Sequence, residues 1–183
     1  IKIMAGHLKE QGGIRKVLSE QMRSPFFPIP LEAMQAQLSF EDFIAGDTIT
    51  LFDNISVRTA PLNHPQGSTA YRIDYEGRSV VYVTDTEHIP GEPDQNILGL
   101  IEGANVVIYD CTYTEEEFPQ RIGWGHSTWN ERVRLCRAAN VEKLAIFHHE
   151  PEHTDDIMDA IAKEALEEWD GAFVSREGME ITI

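Results

Sequence analysis

The chain carries two hydrophobic patterns, and one gives way to the other near Asp85. Before it, short apolar segments recur between turn residues. Leu38, Phe40 and Phe43 precede Gly46-Asp47, Ile49 and Leu51 precede Asp53-Asn54, and Ile55, Val57 and Thr59 alternate with polar neighbours. Ala70 to Tyr75 and Val80 to Val83 flank Glu76-Gly77. Period-two alternation broken by Gly, Asp and Asn predicts a β-meander whose last two strands form a tight hairpin.

After Asp85 helical and strand patterns take turns. Gln95 to Glu102 reads as a short helix, and Val106-Val107-Ile108-Tyr109 as a buried strand ending at Asp110. Trp129, Val133 and Cys136 share a helical face, and Thr128-Trp129-Asn130-Glu131 has the Thr-x-x-Glu form of a capping box. Leu144 to Phe147 predicts another buried strand. Ile157, Ala160, Ile161, Ala165 and Trp169 line a last helix, with Thr154 or Asp155 placed to cap it, and short strands near Phe173 and Ile181 close the chain.

At the other end, a strand from Ile1 runs into a helix with Ile14, Val17, Leu18 and Met22 on one face. The prolines of Ser24-Pro25-Phe26-Phe27-Pro28-Ile29-Pro30 forbid a helix, and the Phe pair predicts an extended loop packed on the core. A meander followed by alternating elements, with no linker between, predicts one layered α/β domain over residues 1–183. Ile1 falls within a strand pattern, so the chain reads as incomplete at its N-terminus.

Composition narrows this picture modestly. No apolar stretch approaches the roughly 20 residues that cross a bilayer. The formal net charge is −16, which repels nucleic-acid phosphates unless a basic patch overrides it. Arg132, Arg134, Arg137 and Lys143 alternate with Glu131 and Glu142, the pattern of a solvated helix face. Cys111 and Cys136 lack CxxC spacing, which excludes a zinc ribbon or a thioredoxin motif. Both read as small buried side chains, compatible with a reducing, cytoplasmic setting.

The candidate chemistry sits at the ends of the apolar runs. Ala60-Pro61-Leu62-Asn63-His64, Val80 to Thr84-Asp85-Thr86, and Leu144 to His148-His149-Glu150-Pro151 each close on a metal-type ligand. Rigid strands that aim such ligands at one rim suit a divalent metal. A carboxylate at Asp85 is nearly buried by its neighbours and needs a partner, a turn to cap, or a metal. His148 and His149 are adjacent and point to opposite sides of an extended segment, so one serves the site. His126 lies at a helix start, a setting for a general acid, and Asp110 is placed to accept an imidazole N–H. His153 reads as structural.

The order His64, Asp85, Asp110, His126, His148 resembles the metallo-β-lactamase superfamily, and within it the tRNase Z-like branch. The matching stretches are Leu62-Asn63-His64-Pro65-Gln66-Gly67, Thr84-Asp85-Thr86, Asp110-Cys111-Thr112-Tyr113, His126-Ser127-Thr128 and His148-His149-Glu150-Pro151. The superfamily's His-x-His-x-Asp-His signature is not in the chain, and His7 stands alone.

The resemblance implies a four-layer αββα sandwich, present mainly as its C-terminal portion. It also implies two divalent metals, zinc first and manganese or iron as alternatives. His64 would complete one metal site, His148 the other, and Asp85 would bridge them. His126, held by Asp110, would protonate the leaving oxygen of a phosphodiester. Acidity argues against a nucleic-acid partner and toward a small or cyclic phosphodiester, as in the cyclic phosphodiesterase of carbon–phosphorus bond cleavage. A homodimer is compatible, and no membrane partner is expected. Two alternatives stay open: a same-fold hydrolase of a thioester, lactone or sulfate ester, and a non-catalytic module lacking the first metal motif.

Overall fold

The computed structural model describes residues 1–52 and 54–183. Asp53, half of the turn expected at Asp53-Asn54, lies outside the described residues. The chain begins with β1 (Lys2–Ala5), α1 (Ile14–Gln21) and β2 (Ser39–Asp42). The expected meander follows as β3 (Thr48–Phe52), β4 (Ile55–Leu62), β5 (Ser68–Tyr75) and β6 (Arg78–Val83). Then come α2 (Gln95–Ile101), β7 (Val106–Asp110), α3 (Trp129–Ala138), β8 (Lys143–Phe147), α4 (Asp155–Glu168) and β9 (Ala172–Val174).

Strands β3 to β9 form one seven-stranded sheet in chain order. Neighbours are antiparallel as far as β6 and parallel from β6 to β9. The change of pattern near Asp85 is this change of pairing. Hairpin turns join antiparallel strands, whereas parallel neighbours need a crossover, supplied here by α2, α3 and α4.

Alternate residues of each strand face opposite sides. Val81, Val83, Val107, Tyr109, Leu144 and Ile146 are buried in one core with Ile97, Ile101, Val133 and Ile161 of the helices. Asp94 caps α2 by accepting from the backbone N–H of Asn96 at 2.8 Å and of Ile97 at 3.1 Å. Buried Arg72 serves the other end of α2, donating to the carbonyls of Leu100 at 3.0 Å and Glu102 at 2.6 Å. Thr128 caps α3 as its sequence predicts, Oγ1 accepting from Glu131 N–H at 3.2 Å. Thr154 precedes α4 without a capping bond, and Asp155 and Asp156 supply negative charge to its first turn.

Tyr71, Tyr82, Ile108, Ala145 and Phe173 stand in register on the opposite face. The parallel pair β1–β2 lies over the Tyr71 end of that face: Phe43 meets Tyr71 edge-on at 6.3 Å between centroids, and Gly6 sits hard against Phe43 and Thr69. Helix α1 packs on β1 and β2. Helix, sheet, sheet, helices is the expected αββα order, in partial form. The rest of the face leaves Ile73, Tyr75, Tyr82 and Phe147 exposed.

Three local expectations are corrected. The segment from Leu38 to Phe43 is not part of the meander, because β2 pairs with β1. Phe26 and Phe27 are exposed, not packed on the core, since the prolines around them keep the chain turning at the surface. No strand forms around Ile181, where Met179 and Ile181 stay partly exposed beyond the sheet edge. Among the described residues no helix is long and apolar enough to cross a membrane.

Candidate metal centre

The C-terminal ends of β6, β7 and β8 converge at one rim, where loops take over from strands. Each strand delivers one group. After Val83, Thr84 Oγ1 donates to Asp85 Oδ1 at 2.8 Å and fixes that carboxylate. After Phe147 the chain turns sharply at His148, whose φ of 61° lies in the left-handed region that β-carbon side chains disfavour. This turn carries His148 back over the rim, with Nε2 3.4 Å from Asp85 Oδ1 and its ring stacked on that of His126 at 4.8 Å. Asp85, His126 and His148 each offer a ligand atom, and these atoms lie within 4.8 Å of one another.

Asp110 ends β7 and is wholly buried, 0% exposed. Its Oδ2 accepts from Thr86 N–H at 3.0 Å and faces His126 Nδ1 at 3.0 Å. Its Oδ1 lies 2.7 Å from the Thr112 hydroxyl and 3.3 Å from Thr112 N–H. Burial opposes ionisation, but the hydrogen bond from His126, the charge of Arg132 and the bonds from Thr112 and Thr86 together outweigh it and hold the carboxyl below its ordinary value. In turn the bond to Asp110 raises the His126 pKa against the desolvation of its ring. With Nδ1 committed to Asp110, the free nitrogen of His126 is Nε2.

The Thr112 hydroxyl also touches His148, 2.8 Å from its carbonyl and 3.0 Å from Nδ1. It has one proton to give and lone pairs to receive, so it orients His148 with Nε2 toward Asp85. Such outer hydrogen bonds set the tautomer and direction of a ligating imidazole.

His64 lies beside this group but outside it. Its ring stands 5.8 Å from that of His126, and its Nδ1 accepts from Gln66 N–H at 3.3 Å. Asn63 ties its loop to the end of β6, accepting from Glu87 N–H at 2.8 Å and donating to the Glu87 carbonyl at 2.9 Å. Gly125 presses on the ring: at φ 89°, a β-carbon there would come within 2.3 Å of His64 Cδ2. His7 reaches Thr69 at 3.2 Å and the Gly67 backbone, on the loop of His64 and apart from the cluster. His149 turns the other way, Nε2 facing the Ser175 carbonyl at 3.1 Å, and His153 is held by Glu117 at 2.8 Å.

Two readings of the residues change here. Asp85 keeps a third of its side chain in solvent (35%), and the buried carboxylate is Asp110. Arg132 is not on a solvated face: it is 1% exposed and donates to the carbonyls of Asp110 at 3.2 Å and Thr86 at 2.6 Å, with its guanidinium 4.2 Å above the Tyr109 ring. The signal was present, since position 132 is three residues from Trp129 and four from Cys136, on the buried side of α3. Cys111 and Cys136 are buried as expected, and burial pushes the Cys136 thiol up to about 12, which leaves no thiolate for nucleophilic work.

A seven-stranded mixed sheet with helices outside, and a His–Asp cluster at the rim where its parallel strands end, define a metallo-β-lactamase type of architecture. The beta-lactamase superfamily domain matches residues 7–149, and the chain belongs to that family. Ribonuclease Z of Haloferax volcanii is 31% identical over 141 residues, covering 76% of this chain and 40% of the relative. A metallo-β-lactamase fold protein from Bacillus subtilis superposes with a TM-score of 0.71 at 18% identity, over 97% of this chain and 63% of the other. The short form of human tRNase Z superposes with a TM-score of 0.65 at 15% identity, over 100% and 68%.

The matches span between 27% and 40% of the length of the curated relatives. They bear out the sequence-based assignment to a family of metal-dependent hydrolases. They overturn the argument against nucleic acid, because relatives of this chain are named for ribonuclease activity. A net charge describes the distant field, whereas a phosphate is met by the groups and ions at the rim.

Proposed function

We propose that the protein hydrolyses phosphodiester bonds with the help of two divalent metal ions, zinc first among them. The observation that supports this best is the Asp110–His126 pair standing 4.8 Å, ring to ring, from His148 and its partner Asp85. The Asp85 carboxylate and the His148 imidazole, each with more than a third of its side chain in solvent and Nε2 3.4 Å from Oδ1, suit an ion of borderline hardness. Asp85 and His148 would hold it, with His64 completing a second position beside them. A bound ion supplies Lewis acidity toward the phosphoryl oxygen and the attacking water.

The chain's own residues account for the proton. Asp110 fixes Nδ1 of His126 and raises its pKa, favouring the imidazolium form in which Nε2 also carries a proton. Directed at the rim, that proton is delivered to the leaving oxygen as the ester bond breaks. Thr112 keeps His148 turned to Asp85, and Arg132 locks the ends of β6 and β7 to α3, so the spacing of acid and ligands is set before substrate arrives.

The ribonuclease Z relatives bring RNA into this proposal as a substrate, and the small or cyclic diester expected from the sequence is the simplest compound to assay. The metal-loaded protein is expected to cleave bis(p-nitrophenyl) phosphate and to leave thioester and lactone substrates intact. Turnover of the thioester or lactone without turnover of the diester assigns the site to another ester.

A further inference from the structure

The five residues before His126 form a loop whose side chains the proton-transfer chemistry leaves unused. Ile122 is 62% exposed and Trp124 59% exposed, whereas Trp129 is buried and Trp169 partly covered. Trp124 N–H donates to the Arg121 carbonyl at 3.1 Å, a turn that brings the two side chains together, and the Arg121 guanidinium lies 4.9 Å from the centroid of the indole. Arg134, the other arginine near this edge, is taken by Glu115 and Glu131. The Arg121 side chain lies against the ring.

The pair is fixed in place. Glu87, two residues past Asp85, accepts from Gly123 N–H at 2.7 Å and from Gly125 N–H at 3.0 Å. Gly125 is wedged against His64, as its lack of room for a β-carbon shows. The Gly123–Gly125 half of the loop is therefore bound to Glu87, and Gly125 leads directly into His126. Two residues of chain reach at most ~7 Å, so the Trp124 backbone stands within that distance of the His126 backbone.

We infer that Arg121 and Trp124 form a stacking platform for a nucleobase carried on the scissile phosphodiester. A flat apolar ring backed by a guanidinium takes any base on its π-face, and the cation offsets the negative field of a chain with net charge −16 beside a phosphate. A bare alkyl ester has nothing to lay on it. The inference rests on the phosphodiesterase reading and names the class of group its substrate carries. The base can come from a mononucleotide ester or from an RNA strand.

The test compares Trp124→Ala and Trp124→Phe with the parent protein on three substrates: thymidine 5′-(p-nitrophenyl) phosphate, a short single-stranded oligoribonucleotide, and methyl p-nitrophenyl phosphate. Trp124→Ala is expected to lower the preference for a base-carrying substrate over the methyl ester about tenfold, through KM, and Trp124→Phe to restore most of it. Which base-carrying substrate loses its advantage identifies the source of the base. An equal change for all three substrates, or no change, overturns the platform. If the parent protein cleaves none of them the phosphodiesterase reading fails separately. Quenching of tryptophan fluorescence by adenosine 5′-monophosphate then decides the platform: quenching that disappears in Trp124→Ala supports it, and absence of quenching in the parent overturns it.

Discussion

The ends of β6 and β7 invite comparison. They are parallel neighbours, each closing an apolar run on an aspartate followed closely by a threonine. Asp85, past β6, accepts from Thr84, faces His148 Nε2 at 3.4 Å and keeps a third of its side chain in solvent. Asp110, at β7, has none of its surface in solvent and is surrounded by Thr86, Thr112 and His126, with Arg132 on its own carbonyl. A carboxylate saturated with donors orients what it touches; one left with free lone pairs at a rim can bind an ion. Similar sequence signals yield two roles, and packing by α3 decides which is which.

The largest effect expected from this contrast is on stability. Asp110→Ala leaves the buried N–H groups of Thr86 and Thr112 without their acceptor and removes the negative charge beside buried Arg132, and is expected to cost about 3–5 kcal/mol in urea denaturation at pH 7. Asp85→Ala, at a half-exposed site, is expected to cost about 0.5 kcal/mol or less. Equal losses would erase the distinction. Next in size is the acid itself: His126→Ala is expected to lower kcat about 10²–10⁴-fold on a diester with a poor leaving group, and a rate equal to the parent's removes His126 from the mechanism.

Thr112→Val sharpens the same contrast from the ligand side. It frees Nδ1 of His148, and a loss of about 10–100-fold in metal affinity is expected by competitive titration. Unaltered affinity assigns Thr112 to Asp110 alone. The smallest effect is in pH. His126 is raised above the ordinary imidazole value by Asp110, so activity that needs its proton persists past that value and falls as pH rises through the folded pKa. Asp110→Asn moves that fall to lower pH in a pH–rate profile. The same linkage gives stability a direction: the His126 contribution is complete below the unfolded value and lost above the folded one, whereas that of Asp110 is lost as pH falls below its depressed folded value.

Much of this was legible in the residues, for stated reasons. The buried runs of β6, β7 and β8 are too apolar to be anything but interior strands, and their terminal residues had to meet at a rim. Thr128 announced the start of α3 through its capping pattern. What the sequence concealed depends on long-range packing. Nothing local pairs β1 with β2 across the intervening helix and prolines. Arg132 looked solvated because charges surround it in sequence, although its spacing from Trp129 and Cys136 pointed inward. The rank of Asp85 and Asp110 in burial was hidden because both end similar runs, and only the arrival of Thr112 and Arg132 separates them. Gly125 and Glu87 carried no local signal, since their work is against His64 and the loop before His126.

The central claim is that the end of β6 holds metal while the end of β7 holds the acid. Competitive zinc titration of the parent protein, Asp85→Ala and His126→Ala, run side by side, tests it most directly. The account predicts that Asp85→Ala weakens zinc binding by at least about 100-fold, beyond the loss typical of an outer hydrogen bond, while His126→Ala binds as the parent does. A loss in His126→Ala as large as that in Asp85→Ala would contradict it, making His126 a ligand and leaving the acid to be found elsewhere.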